Sequence, residues 1–346
     1  MMYDAARSQS THPAVRPDWL ALHHEEIIEP ELPIVDPHHH LWDRPGNRYF
    51  FFDLLGDLAA GHNVRATVAI ECGTMYRQDG AAEARPVGET EFFNGAAAIS
   101  ASGQYGEHRV CAGIVGHADL CLGDRVTPVL EDHIRAGGGR FRAVRYISAW
   151  HPDPAARGSL ANPPPNVLAD PRFRAGFAQL APLGLSFDAW MYHTQLPELA
   201  ALARAFPETT IVLNHTGGAI GIGPYAGKRD AVLTEWGANI REVAQCPNVF
   251  IKLGGMGMRL FGFDFASRER PPSSQTLAEC WRPYFETCIE AFGTERCMFE
   301  SNFPVDKGSC SYAVVWNAFK RVAARASHAE KQALFSGTAR KAYRLP

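Results

Sequence analysis

The chain has 346 residues, of which 46% are hydrophobic and 21% charged, and its formal net charge is −3. This composition is typical of a globular protein with a large core and excludes a disordered chain. No basic run stands out, so nucleic acid is a poor partner. The sequence has neither an apolar signal-peptide segment nor an apolar run of the ~18 residues that a membrane span needs. We therefore expect a cytoplasmic protein with no membrane partner.

Short apolar runs alternate along the chain with longer segments of helical periodicity. Eight such runs occur, at residues 32–36, 64–72, 109–116, 141–147, 185–191, 209–215, 248–254 and 296–301. Runs that are apolar on both faces are typical of parallel strands covered by helices. Eight alternations of strand and helix predict an α/β protein, a (β/α)8 TIM barrel over residues 32–346, after an N-terminal extension over residues 1–31. A doubly wound open sheet is the alternative, but no GxGxxG motif follows the first run.

Helical patterns lie between and after these runs. We predict helices over residues 89–103, 127–138, 170–184, 196–206, 228–246, 274–293, 311–326 and 327–345. Asp170 is a candidate N-cap, followed by Pro171 in the first turn. Two long loops, 151–166 and 254–274, follow the fourth and seventh runs. On a barrel they lie on the active-site face, where we expect them to carry specificity.

Three histidines end the first run, in IVDPHHHLWD. Alternate side chains of an extended chain share a face, so His38 and His40 should point together into the barrel mouth and His39 away from it. Two imidazoles presented in this way can hold one divalent metal ion. They can equally serve as acid–base groups or as plain polar groups of a loop.

Later strand ends add further candidates. The sixth run ends in His215, and the glycines Gly217 and Gly218 that follow leave room for an imidazole. The fifth run ends in Tyr192 and His193. One of these two should face the mouth and the other the helices, because neighbouring strand residues point to opposite sides.

Two basic residues lie within apolar runs. Arg145 lies on the fourth run and Lys252 on the seventh. A buried cation needs a partner, which is either a neighbouring carboxylate or an anionic substrate. Glu71, at the end of the second run, could pair with either one.

The motifs IVDPHHHLWD, VLNHTGG, VFIKLGG and MFESNFPVD resemble the amidohydrolase superfamily, and most closely its amidohydrolase-related branch, which includes sugar-lactone and pyrone-dicarboxylate lactonases. The resemblance implies a (β/α)8 barrel that often holds divalent ions, although some lactonases of this branch work without metal. His38, His40 and His215 match the family histidines, so the resemblance implies one Zn or Mn ion on these three or metal-free chemistry. Arg145 and Tyr192 fall where related lactonases bind carboxylate or carbonyl oxygens.

Strand eight departs from the family pattern. The family reads Gly-Ser/Thr-Asp-Trp-Pro there, and its aspartate takes a proton from the attacking water. This chain reads Glu300-Ser301-Asn302-Phe303-Pro304. Asn302 stands in the place of the aspartate, and an amide cannot act as a general base. Asp306, four residues on, is our first candidate for a replacement, and Glu300 is the second.

These observations predict a hydrolase that opens a lactone or similar cyclic ester of a small carboxylated substrate. His38, His40, His215, Asn302 and Asp306 would form its catalytic group. The predicted substrate-binding residues are Arg145, Tyr192, His193, Lys252 and Glu71. A decarboxylase of an aromatic or muconate-type acid is the alternative, followed by a barrel that only binds a ligand. The expected partners are a small-molecule substrate and, in a homodimer, a second copy of the chain.

Overall fold

The computed structural model describes residues 12–158 and 161–346. In this part of the chain eight parallel strands form one sheet, and each pairs with the next along the chain. They are β1 (Ile34–His39), β2 (Val64–Ile70), β3 (Arg109–Gly116), β4 (Phe141–Ile147), β5 (Ser186–Trp190), β6 (Ile211–Leu213), β7 (Val249–Gly254) and β8 (Cys297–Glu300). Each strand overlaps one of the eight predicted runs, and the (β/α)8 barrel is confirmed.

The barrel closes where the last strand meets the first. The backbone N–H of Asn302, just past β8, donates to the carbonyl of His38 at 3.0 Å. The N–H of His40 donates to the carbonyl of Phe303 at 2.8 Å. The segments that carry candidate site residues therefore make the closure, and the ends of β1 and β8 lie side by side.

Helices surround the sheet. Those of the described residues are α1 (Pro17–Leu20), α2 (Phe51–Leu58), α3 (Val87–Ala101), α4 (Thr127–Ala136), α5 (Pro171–Phe177), α6 (Leu196–Ala205), α7 (Arg229–Ala244), α8 (Ser274–Phe292), α9 (Tyr312–Val322), α10 (His328–Gln332) and α11 (Thr338–Tyr343). In the part of the chain that is described, no helix is both long and apolar enough to cross a bilayer.

Most predicted helices are present, with some differences in length. Asp170 caps α5 as predicted, because its side chain accepts from the N–H of Arg172 at 2.7 Å. Helix α5 ends at Phe177, well before the predicted residue 184. A π-helical turn, Ala333–Gly337, divides the last predicted helix into α10 and α11.

Two observed elements are not among the predicted ones: helix α2 and the short hairpin of Trp42–Arg44 with Asn47–Tyr49. Both elements follow β1 and are too short to show a clear repeating pattern.

The interior of the barrel is apolar at its base and polar at its mouth. Val35, Val212, Phe250 and Met298 belong to one buried cluster, which Tyr343 of α11 joins. Side chains alternate along each strand, so residues two positions beyond these face the same interior. Strands β7 and β8 thereby carry polar groups towards the mouth.

The N-terminal extension packs on the barrel over its described part. The N–H of Ser274 donates to the Glu25 carboxylate at 2.7 Å. Lys320 of α9 donates to the carbonyls of Ile28 at 2.7 Å and Glu29 at 2.9 Å. These bonds join the described part of the extension to α8 and α9.

Candidate active site

The two histidines predicted to point into the mouth lie together there. Nε2 of His38 is 3.3 Å from Nε2 of His40. His39 turns to another side and lies 2.8 Å from the hydroxyl of Thr67 on β2. Nδ1 of His40 lies 2.9 Å from the carbonyl oxygen of Ile70, so this nitrogen carries the proton and Nε2 is left as an acceptor.

Glu300 lies between two histidines that are far apart in the sequence. Its Oε1 accepts from Nδ1 of His215 at 2.7 Å and from the backbone N–H of the same residue at 3.1 Å. Its Oε2 is 2.8 Å from Nδ1 of His38, a close polar contact without hydrogen-bond geometry. The carboxylate, ranked second in the sequence analysis, is therefore the one that contacts the histidines of the mouth.

Glu300 points into the mouth because side chains alternate between the two faces of β8. Met298 belongs to the cluster inside the barrel, and Glu300 is two residues further along the same face. Glycines make the room. A Cβ on Gly254 would lie 2.2 Å from the Glu300 carbonyl oxygen, and one on Gly255 would lie 2.3 Å from Nδ1 of His215. The space around His215 therefore depends on Gly255, and not only on the glycines that follow it in sequence.

Asn302 and Asp306 form a separate pair beside this cluster. The amide of Asn302 donates to Oδ1 of Asp306 at 2.9 Å, and the N–H of Gly257 donates to Oδ2 at 2.8 Å. Burial raises the pKa of Asp306 to about 8, so its carboxyl is neutral at pH 7. Lys307 pairs with Asp57 instead of its neighbour Asp306. Asp306 thus has a partner on each oxygen, and Glu300 is better placed to take a proton.

Both buried cations have carboxylate partners. Arg145 Nε donates to Oε1 of Glu71 at 2.7 Å. Lys252 donates to Oδ2 of Asp188 at 2.8 Å. The hydroxyl of Tyr343 also donates to Oδ2 of Asp188, at 2.8 Å. The Glu71 pairing is one that the sequence analysis considers, whereas Asp188 goes unrecognised there because it lies inside an apolar run.

A chain of polar contacts leads from Asp188 into the mouth. Nζ of Lys252 is 3.2 Å from Nδ1 of His38, whose Nε2 contacts His40. A continuous hydrogen-bonded series links Asp188, Lys252, His38 and His40 if Nε2 of His38 carries the proton. With the proton on Nδ1, Nε2 of His38 becomes an electron-pair donor. The tautomer of His38 thus determines which of its two nitrogens offers a lone pair to a metal.

The imidazoles of the cluster are neutral. Burial, and then the charge of Lys252, hold the pKa of His38 well below its usual value. Burial and then Arg145 do the same for the pKa of His40. Burial also lowers the pKa of His215, although Glu300 opposes the shift. Neutral imidazoles are the form that binds metal ions or accepts protons.

Tyr192 and His193 take different directions, as expected for neighbours. The hydroxyl of Tyr192 accepts from the N–H of Gly158 at 2.8 Å and so holds the loop after β4. Nδ1 of His193 accepts from the N–H of Ile220 at 3.2 Å, and its Nε2 is 4.0 Å from Glu235 of α7. Neither has a hydrogen bond to the His38 cluster among the described contacts. Residues 159 and 160 of the predicted specificity loop lie outside the described part.

Three residues of the cluster fit a divalent metal ion. His38, His215 and Glu300 are buried, and each offers a ligand atom within 4.8 Å of the others. Two neutral imidazoles and a carboxylate are a known donor set of catalytic zinc. The buried Oδ1 of Asn302 has no hydrogen-bond partner, which leaves another acceptor oxygen unsatisfied. This set differs from the predicted one in having Glu300 where the prediction has His40.

Residues 35–345 match the model of the amidohydrolase family. An uncharacterised protein of Sinorhizobium fredii is 34% identical over 333 residues, which are 91% of this chain and 99% of that protein. An L-fucono-1,5-lactonase of Burkholderia multivorans is 31% identical over 241 residues, 69% of this chain and 73% of the lactonase. A crystal structure of a Burkholderia multivorans amidohydrolase with bound zinc is 26% identical, with a TM-score of 0.68, and covers 90% of this chain and 99% of its own.

The family match and the lactonase among the relatives define an enzyme of the hydrolase type. The match over almost the whole barrel shows that the chain belongs to the amidohydrolase family. The resemblance inferred from the sequence motifs is thereby confirmed, including its likeness to sugar lactonases.

Proposed function

We propose that the protein is a lactonase that opens the ring of a sugar lactone by attack of water on the carbonyl carbon. The observation that carries this proposal is the position of Glu300, a buried carboxylate between His38 and His215 at the barrel mouth. Lactonase names among the relatives support the same reaction, with L-fucono-1,5-lactonase at 31% identity and L-rhamnono-gamma-lactonase of Scheffersomyces stipitis at 23%.

The charges at the mouth favour a neutral lactone over a carboxylated one. Arg145 is neutralised by Glu71 and Lys252 by Asp188, at 2.7 Å and 2.8 Å respectively. A cation already paired in a buried site gains little from a second anion, since its charge is compensated. Both cations that suggest an anionic substrate in the sequence are therefore compensated by carboxylates of the protein itself.

Glu300 is the group that we propose as the general base. Its Oε1 is fixed by His215, whereas Oε2 has no hydrogen-bond donor. This oxygen would take a proton from water as the water oxygen bonds to the carbonyl carbon. The ring C–O bond then breaks, and the proton passes to the leaving alkoxide, which gives the hydroxy acid. General base catalysis of this kind typically contributes 10²–10⁴-fold in rate.

A divalent ion is part of the proposal. His38, His215 and Glu300 would hold it, with His40 adjacent, and we propose zinc because a related amidohydrolase binds zinc. When bound, such an ion supplies Lewis acidity to the carbonyl oxygen and lowers the pKa of water. The alternative is catalysis without a metal, in which the hydrogen-bonded residues Lys252, His38 and His40 act directly on the substrate.

A decarboxylase remains the second reading of the sequence, but no contact in the site favours it. Its main support was the loss of the strand-eight aspartate at Asn302. Glu300 supplies a carboxylate to the same mouth, so hydrolysis does not lack a base.

The test is a lactone panel with purified protein. Acid release from neutral six-carbon 1,4- and 1,5-sugar lactones should exceed that from carboxylated pyrones and from carboxylated aromatic acids assayed for CO2. A His215→Ala variant prepared in the same way controls for contaminating lactonases and should be inactive. Equal rates in the variant, or CO2 release as the main activity, would overturn the proposal.

A further inference from the structure

His12 of the N-terminal extension lies at the barrel mouth. Its ring is nearly parallel to that of Trp42, with 3° between the planes and 6.4 Å between centroids. Trp42 in turn stacks on His40, with 14° between the planes and centroids 5.5 Å apart. The two contacts form a series of three rings that leads from the extension to an imidazole of the candidate active site.

The electrostatic surroundings of His12 are those of the same site. Burial, and after it the electrostatic effects of Arg44, His215 and Arg145, lower the pKa of His12 to about 4. Arg145 lies on β4 and His215 directly follows β6, so groups that act on His12 belong to the candidate active site. At pH 7 the ring is neutral and can donate one hydrogen bond and accept another.

The extension is fixed where it reaches the mouth. Pro13 packs so closely on Gly308 that a Cβ there would lie 2.4 Å from the Pro13 carbonyl oxygen. The indole N–H of Trp19 donates to the carbonyl of Arg268 at 3.0 Å. Gly308 follows β8 and Arg268 lies in the loop after β7, both on the active-site face. The position of His12 is therefore supported by the loops that surround the site.

The polar groups of the site are covered. His38 and Glu300 have no solvent exposure and His40 is 4% exposed. Trp42, 1% exposed, stacks on His40, and His12, partly buried, stacks on Trp42. A substrate that reaches the histidines must contact or displace groups of this cover, in which His12 adds a polar ring to the indole of Trp42.

We propose that His12 is a specificity-determining residue of the active site, which the N-terminal extension contributes as part of the wall of the substrate pocket beside Trp42. Its imidazole hydrogen-bonds a polar group of the substrate, such as a ring hydroxyl of a sugar lactone. The choice of a hydroxylated lactone as substrate rests on the function proposed above, whereas the place of His12 in the pocket wall does not.

The kinetic test separates binding from chemistry. His12→Ala should raise KM about tenfold, the loss of one hydrogen bond, while kcat stays within about twofold. His12→Gln keeps a donor and an acceptor and should recover most of the change. His24→Ala, an exposed histidine of the same extension, is the matched control and should leave both constants unchanged. Wild-type KM in His12→Ala would overturn the proposal.

A second readout does not require lactonase activity. Diethyl pyrocarbonate acylates accessible neutral imidazoles, and mass spectrometry locates the label, with exposed His24 as the internal reference. Removing the His12 ring should label His40 several-fold faster, and His23→Ala should not. If the wild type opens no lactone but His40 is labelled faster in His12→Ala, then His12 is part of the pocket wall and the proposed lactonase function is wrong. Equal labelling of His40 in wild type and His12→Ala would contradict the wall.

Discussion

Oε1 of Glu300 accepts a hydrogen bond from Nδ1 of His215 at 2.7 Å, and this contact joins strand β8 to the end of β6. It places a carboxylate in the mouth although Asn302 occupies the position of the family aspartate. The donor-free Oε2 then faces His38 at 2.8 Å. We infer that Glu300, two residues before Asn302 in the chain, supplies the carboxylate that the family pattern has at position 302.

Metal content is the first prediction. Plasma mass spectrometry of untagged protein should find about one zinc per chain, because two imidazoles and a carboxylate lie within 4.8 Å of one another. His38→Ala and His215→Ala should each lose most of it. His193→Ala, a histidine with no described contact to the cluster, is the control. Protein that stays metal-free after growth with added zinc would favour the Lys252–His38–His40 series instead.

The pH dependence of stability should report on Asp306. Its pKa is about 8 in the folded protein and 3.8 in an unperturbed chain. The folded state thus holds a proton that the unfolded state releases. This contribution is complete below about pH 4 and is lost as pH rises through about 8, by up to about 1.4 kcal/mol per pH unit. The free energy of unfolding of Asp306→Asn should therefore rise relative to wild type between pH 5 and 9. Parallel curves for the two proteins would refute the assignment.

Restoring the family residue should destabilise the protein. In Asn302→Asp a carboxylate replaces the amide that donates to Asp306 at 2.9 Å. Two buried carboxyls at this distance cannot both ionise easily, so we expect a loss of about 1–3 kcal/mol in urea denaturation, and a greater loss at pH 9 than at pH 6. The exchange variant, Asn302→Asp with Asp306→Asn, should recover stability. Full stability of the single variant at pH 9 would show that the two groups do not interact.

The Lys252–Asp188 pair should be critical to the core. Both side chains have no solvent exposure and are 2.8 Å apart. Asp188→Asn leaves an uncompensated buried ammonium, which should cost about 3–5 kcal/mol in the free energy of unfolding. Removing both charges, in Asp188→Asn with Lys252→Met, should recover much of this loss. If the double variant is no more stable than the single one, the charges do not act as a pair.

Much of the architecture could be predicted from local pattern. The eight apolar runs predict the strands, and strand alternation predicts that His38 and His40 point together into the mouth with His39 turned away, as they lie in the structure. Helix α2 carries too short a pattern to be recognised. The role of Asp188 depends on a partner 64 residues away, which no local signal reveals.

The choice between the two candidate carboxylates also depends on tertiary contacts that the sequence does not show. Asp306 was favoured over Glu300 because its place in a loop at the mouth suggests freedom to reach inward. In the structure Asn302 and Gly257 hold its two oxygens. Side chains alternate along β8, so Glu300 lies on the same face as Met298. This pattern predicts that Glu300 points into the barrel only when it is known which face of β8 is interior. His12 carried no signal, since the path of an extension depends on tertiary contacts.

The most direct test compares Glu300→Gln with Asp306→Asn on the best lactone of the panel. Both changes keep size and remove a carboxylate, so the second is a matched control for the first. Glu300→Gln should lower kcat about 10²–10⁴-fold, whereas Asp306→Asn should stay within tenfold of wild type. Circular dichroism would verify folding, and both variants would be assayed with added zinc and analysed for metal, because Glu300 is also a proposed metal ligand. A large loss in Asp306→Asn with near-normal turnover in Glu300→Gln would contradict the account.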